Sequence, residues 1–254
     1  MRLPVIRGVI DRRILVNYRV DPAVLSSLLP PPFRPKLVQG HGMVGICLIR
    51  LSRVRPRFLP SWLGVASENA AHRCAVEWDD GDAVREGVYV QRRDTSSRLN
   101  ALAGGRLFPG IYSHARFTVR ETSAHFEVAL QSDDGVTHLS VVGDVAKELP
   151  GESVFGSLAE ASKFFQAGSL GYSATPDPQR FQGMELQCAR WHVEPLAITK
   201  VRSSYFDDRG VFPAGSIEFD CALLMRGIEH EWHGKSDLCC VAASKPDRAP
   251  CETT

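Results

Sequence analysis

The sequence predicts a strand-rich α+β domain with two or three short helices. Most apolar runs alternate at period two and are separated by Gly, Pro, Asp or Ser turn signals, the mark of half-buried strands. Only three windows carry helical spacing with caps or stops, and no internal repeat or low-complexity linker divides the chain.

Residues 4–20 read as an opening strand, with Val5, Val9, Ile14, Val16 and Tyr18. Asp21-Pro22 then supplies an N-cap and a first-turn proline for a helix through Leu29, halted by Pro30-Pro31-Pro32. Val24, Leu25, Leu28 and Leu29 form its apolar stripe. From Pro35, a Lys-Leu-Val run, a Gly-His-Gly turn and Met43 to Leu51 make a hairpin. The turn spells G-x-G-x-x-G at Gly40, Gly42 and Gly45, but a dinucleotide site needs a helix after its glycines. Ile46-Cys47-Leu48-Ile49 reads as a strand, so no cofactor is expected. A proline-rich loop over 56–64, carrying Phe58 and Trp62, reads as a rim or lid. Residues 67–78 and 84–93 make a second hairpin about an Asp-Asp-Gly-Asp turn. Thr95 to Ala103 looks helical, capped by Ser96 or Ser97, with Leu99 and Leu102 inward and a stop at Gly104-Gly105. A meander over 111–120, 124–131 and 136–144 follows. Leu158, Ala161, Phe164 and Phe165 mark a helix over 157–166, ended by Gly168. Residues 171–178 read as a loop, then 185–193, 198–206 and 217–224 as strands.

With 254 residues and 44% hydrophobic content, the chain is expected to be one domain, 1–254, with a polar tail from about 245. Thirty basic against 29 acidic residues give a formal charge of +1, which argues against a dominant nucleic-acid footprint. The one basic cluster, Arg50 to Arg57, reads as a solvated loop. No signal-peptide pattern and no spanning apolar run are seen, so a cytoplasmic protein without membrane partners is expected. Seven cysteines without C-x-x-C spacing fit a reducing compartment, with Cys239-Cys240 as a strand end.

Reactive groups concentrate over 104–116. On a strand, period two places Tyr112, His114 and Arg116 on one face, opposite Ile111, Ser113, Ala115 and Phe117. That face is either the solvent side or the lining of a cavity, in which an arginine receives a carboxylate and His114 or Tyr112 moves a proton. Upstream, Glu68-Asn69 and Arg73 form a second polar set, read either as a site or as a structural ion pair. His230-x-x-His233 would share a helical face, but spacing specifies no third ligand and no metal is expected. No nucleophile elbow and no P-loop occur.

Several stretches, in order, carry a resemblance: Asp21 to Pro30, Glu68-Asn69 with Arg73, Gly87-Val88-Tyr89-Val90, Gly105 to Arg116, and Gly168 to Ser173. Over roughly residues 5–240 the chain resembles the uncharacterised bacterial YqjF-like proteins, domain of unknown function 2071, grouped with the acetoacetate-decarboxylase-like superfamily. The resemblance implies a curved antiparallel sheet or barrel around a central cavity, with short helices outside. It also implies keto-acid chemistry, which in the decarboxylases runs through a lysine Schiff base. Matching the family motif sets Arg106 on its arginine and Gly110 on its glycine. Tyr112, Ser113 and His114 then fall near the lysine positions, and Lys36, Lys147, Lys163, Lys200, Lys235 and Lys245 all lie elsewhere. A Schiff-base decarboxylase is therefore disfavoured.

The expected function is a small-molecule-binding protein for a keto or enol carboxylate. Arg106, Arg116 and Arg73 would anchor the anion beside Asn69. His114 or Tyr112 would serve as acid or base and Glu68 would orient or deprotonate, giving lyase, isomerase or hydrolase chemistry. A non-catalytic sensor or carrier, and an oligomerisation module without a cavity, stay open as alternatives, as does a homo-oligomeric state.

Overall fold

The computed structural model describes residues 4–102 and 110–239. Arg106 and the Gly104-Gly105 stop lie outside the described residues, as does the polar tail.

The chain runs β1 (Ile6–Val20), α1 (Pro22–Leu28), β2 (Arg34–Pro35), β3 (Leu37–Val38), β4 (His41–Pro56), a 3-10 turn (Ser61–Leu63), β5 (Val65–Asp80) and β6 (Ala83–Thr95). It continues with α2 (Arg98–Leu102), β7 (Tyr112–Glu121), β8 (His125–Ser132), β9 (His138–Val145), α3 (Leu158–Ala167), β10 (Leu170–Ala174), β11 (Arg180–Cys188), β12 (Glu194–Ser203) and β13 (Ile217–Cys239). The fold is strand-rich α+β, as expected. No helix of the described residues is long and apolar enough to cross a membrane.

The strands form one sheet in the order β11-β10-β6-β7-β8-β9-β12-β13-β1-β4-β5-β2, with β5 also pairing β6 and β11 also pairing β13. Pairings therefore run in a circuit from β13 through β1, β4, β5, β6, β10 and β11 back to β13. The sheet is mixed, where an antiparallel one was expected, because β6 pairs β7 and β10 in parallel. Parallel neighbours need a crossover. Residues 96–111, which include α2, supply it for β6 and β7.

β1, β4, the middle of β5 and the first half of β13 are buried on both faces, in keeping with the long apolar stretches of β4 and of residues 221–225. Ile14, Val16, Leu48, Val76, Leu130 and Phe206 contribute to one core, joined by an aromatic group that includes Phe33, Trp78, Tyr89 and Phe181. Leu15, Cys47, Ala71, Val90 and Leu223 belong to the other, which Phe155 and Phe165 close from the side of α3. Gly45 sits where an added Cβ would lie 2.2 Å from the Val16 carbonyl oxygen, so β1 and β4 meet closely only with glycine there.

Several expectations change. Thr95 is strand, paired with Asn69 and His114, so the helix shrinks to α2, and Leu99 is 72% exposed rather than inward. Sheet pairing outweighed a weak helical preference. Residues 171–174 form β10, not a loop. The strand from 217 extends to Cys239, since its second half pairs β11. Arg50, Arg53 and Arg55 lie on β4, not on a loop. Phe58 and Trp62 are exposed. Cys47, Cys74, Cys188 and Cys221 are free thiols, whereas Cys239 ends β13 and is disulfide-bonded.

Candidate functional site

Residues five apart on a strand face opposite sides, and β5 separates Glu68 from Arg73 in this way. Glu68 Oε2 accepts from Arg12 Nη2 at 2.5 Å and its Oε1 from Arg50 Nε at 2.5 Å. Arg12 Nη1 also donates to Glu121 Oε2 at 2.7 Å, and Arg50 Nη1 donates to Glu121 Oε1. Two guanidinium groups and two carboxylates thus close a ring that ties β1, β4 and β5 to β7.

The opposite face of the same strands is different. In one register row lie Cys221, Asn17, Gly45 and Arg73; in the next lie Leu223, Leu15, Cys47, Ala71, Arg93 and Tyr112. A third row holds Met225, Arg13, Ile49, Asn69, Thr95 and His114. Register therefore places Arg73, Asn69 and Tyr112 on one face of the sheet, together with Arg13 and Arg93.

Arg73 is buried, 6% exposed. Its Nη2 donates to Asn17 Oδ1 at 2.5 Å, its guanidinium lies over the Phe165 ring at 5.0 Å, and its Nε has no hydrogen-bond partner. Among the described residues no carboxylate pairs with it. Burial pulls its pKa down to about 10, with the Cys47 thiol acting against and the charge of Arg13 acting with that shift. Arg13 also has no carboxylate partner among the described residues. Its Nε donates to Cys47 Sγ at 3.2 Å, its Nη1 to Met225 Sδ at 3.8 Å, and its guanidinium lies 5.8 Å from the Trp191 ring centroid. A cleft lined by Arg13, Arg73, Lys36, Val88, Phe164 and Phe165 opens beside them. Lys36 is ion-paired to Glu86 at 2.6 Å.

The other expected site residues are placed as follows. Asn69 Nδ2 donates to Ser67 Oγ at 2.9 Å and to the Ser67 carbonyl at 3.1 Å. Tyr112 is half-buried under Arg93 at 5.7 Å; burial raises its pKa and Arg93 opposes the rise. Arg93 reaches Ser173 Oγ at 3.0 Å, and Gln182 Oε1 accepts from the Gly110 amide at 3.0 Å. His114 Nδ1 meets Asp133 Oδ2 at 2.7 Å, and Arg116 is exposed, 3.7 Å from Asp133. The structure thus brings Arg73 and Tyr112 to neighbouring rows, while His114 and Arg116 engage Asp133. His230 and His233 lie on a strand, where i and i+3 face opposite ways, which removes the shared helical face. Among the described residues no group of three or more His, Cys, Asp or Glu is arranged to hold a metal ion.

Two residues of the cleft were not singled out in the sequence. Arg13 carries a signal: Arg12 and Arg13 are adjacent on a strand, so they face opposite sides, and each needs partners on its own side. Lys36, in a short segment after a proline, carries none.

Among solved structures the chain is similar to an acetoacetate decarboxylase-like enzyme from Sphingomonas wittichii RW1, with 11% identity and a TM-score of 0.56 over 95% of this chain and 94% of that one. It is similar also to acetoacetate decarboxylase from Legionella pneumophila, with 11% identity and a TM-score of 0.53 over 92% and 87%. The enduracididine biosynthesis enzyme MppR complexed with pyruvate gives 11% identity and a TM-score of 0.55 over 94% and 91%. At these identities the likeness is one of fold. No curated protein matches the chain. The family model of DUF2071, described as an uncharacterized conserved protein (COG2071), matches residues 10–227. The chain belongs to this family and shares its fold with the acetoacetate-decarboxylase-like superfamily.

Proposed function

We propose that this protein binds a small keto or enol carboxylate in the cleft beside Arg73 and Arg13. One observation carries the reading: Arg73 is buried and charged, has a free Nε–H, and has no carboxylate partner among the described residues. A buried cation is ordinarily paired, because desolvation is costly, so an anionic ligand completes the arrangement. The circuit of strand pairings supports reading the sheet as a barrel curved about this face. The likeness to a protein complexed with pyruvate agrees in ligand class.

Arg73 and Arg13 grip the carboxylate, and Asn69 shares the row of Arg13, two rows from Arg73. Of the acid–base candidates, Tyr112 shares the Arg73 face of the sheet by register, and its phenol, held in the proton-bearing form by burial, would donate to an enolate oxygen that reached it. Glu68 and His114 would serve only after leaving Arg12, Arg50 and Asp133. Arg106, outside the described residues, and the exposed Arg116 would contribute positive charge that attracts the anion. Schiff-base chemistry remains disfavoured, because Lys36 in the cleft is ion-paired to Glu86. That pairing favours the second reading, a carrier or sensor that grips without turnover.

Calorimetric titration with pyruvate, alongside Arg73→Met, tests the proposal. Binding by the parent chain and its loss in the variant are expected. Failure of pyruvate and of other small keto and enol acids to bind at millimolar concentration rejects it, and consumption of the ligand followed by NMR separates catalyst from carrier.

A further inference from the structure

The carboxylate reading leaves one charge unanswered. Arg13, Arg73 and Lys36 all line the cleft, and among the described residues the one acid paired with any of them is Glu86. Arg13 and Arg73 have no carboxylate partner among the described residues, and the half-exposed Glu86 is displaceable from Lys36, so the cleft offers a ligand up to three cations. A monocarboxylate would answer only the inner pair.

We propose that the cleft is built for a dianion, specifically a small dicarboxylate, an inference that rests on the carboxylate-binding reading above. Its inner carboxylate meets Arg73 and Arg13, whose partners among the described residues are otherwise an amide oxygen, two sulfur atoms and aromatic faces. These are weak partners for guanidinium groups that form bidentate bonds with carboxylates. The outer carboxylate meets Lys36. Its ammonium is held at the rim by the Phe164 ring, 4.6 Å away, and by Glu86. The Glu86 side chain is 45% exposed, so it yields to a ligand carboxylate and returns to water without being buried unpaired. Phe164 and Phe165 on α3 and Val88 on β6 also line the cleft, whose space is small, so a short dicarboxylate is the class to test.

The test compares succinate with butyrate, which have equal carbon number and differ by one carboxylate, using calorimetry at fixed ionic strength with inorganic phosphate as a third probe. Succinate is expected to bind about tenfold more tightly than butyrate, the worth of one added charge-assisted contact. In Lys36→Met, which keeps the apolar stem, that ratio is expected to fall towards one. Equal affinity for succinate and butyrate in the parent chain overturns the dianion inference and leaves the monocarboxylate reading standing. A ratio unchanged in Lys36→Met removes Lys36 from the assignment and overturns the two-anchor geometry. Phosphate binding more tightly than succinate overturns the dicarboxylate class. Binding of none of the three while pyruvate still binds overturns the dianion inference alone, and loss of pyruvate binding as well removes both readings.

Discussion

At the residue scale, a group kept for ligand binding and one kept for stability behave differently when removed. Arg73 is desolvated without a carboxylate, so its charge opposes folding, and only Asn17 and the Phe165 face offset this. Arg73→Met is therefore expected to keep or raise the unfolding free energy while weakening carboxylate binding by about 30-fold or more. Urea unfolding with a parallel titration checks this; destabilisation with binding intact would make Arg73 a structural residue. His114 is the contrast. Its imidazole pairs with half-exposed Asp133, so His114→Ala is expected to change stability by less than about 1 kcal/mol. Glu68 and Arg73 show what the sequence can and cannot convey about such roles. Both residues were visible as a polar set, but their separation of five fixes them to opposite faces only once β5 is known to be continuous through both. Their partners, Arg12, Arg50, Glu121 and Asn17, are brought in by pairings far apart in the chain that no local pattern encodes.

At the element scale, the ion ring ties β7 to β1, β4 and β5, none of which it pairs in the sheet. Arg12 is 2% exposed, and removing one of its carboxylate partners leaves a buried charge half answered. Glu68→Gln is expected to cost about 2–4 kcal/mol in equilibrium unfolding. A loss below about 1 kcal/mol would show that the ring is solvated and free to serve another purpose. The cleft depends on α3, whose first turn is set by Ser157 Oγ accepting from the Glu160 amide at 3.2 Å, while Glu160 Oε2 accepts from Gly156 N at 2.9 Å. This resembles a capping box shifted by one residue. Ser157→Ala is expected to cost about 1 kcal/mol and to speed amide exchange over Leu158–Ala167 ahead of the strands. Elements of this kind were legible, because α1 and α3 announce themselves through Asp21-Pro22, Ser157 and Gly168. The second half of β13 was not. Its Glu-His-Glu-Trp-His run lacks clear alternation and becomes strand because β11 and β1 lie along it.

At the scale of the whole molecule, burying a sheet on both faces traps polar groups that neither core can serve. His72 is 2% exposed and touches the rings of Tyr205 and Phe206; neither of its ring nitrogens has a hydrogen-bond partner. His230, equally buried against Trp232, has none of normal geometry. Burial, aided by the charge of Arg92 for His72 and of Arg13 for His230, lowers both pKa values to about 4. The native state then excludes protons that the unfolded chain binds from about pH 6.5 downward, so each histidine gives its full stability above 6.5 and loses it progressively as pH falls to 4. The loss is on the order of 1–3 kcal/mol per histidine. His125, raised by Asp144 and Glu127 at the surface, works in the opposite sense, losing its contribution as pH rises. The core pair dominates because surface pairs are screened. Chemical unfolding at a series of pH values is therefore expected to show stability declining between 6.5 and 4, before the carboxylates titrate. His72→Phe combined with His230→Phe keeps the aromatic packing and removes the unpartnered nitrogens, so it should flatten that decline. An undiminished slope in the double variant would place the acid sensitivity outside the two cores and show that both imidazoles find water or a partner when the pH falls.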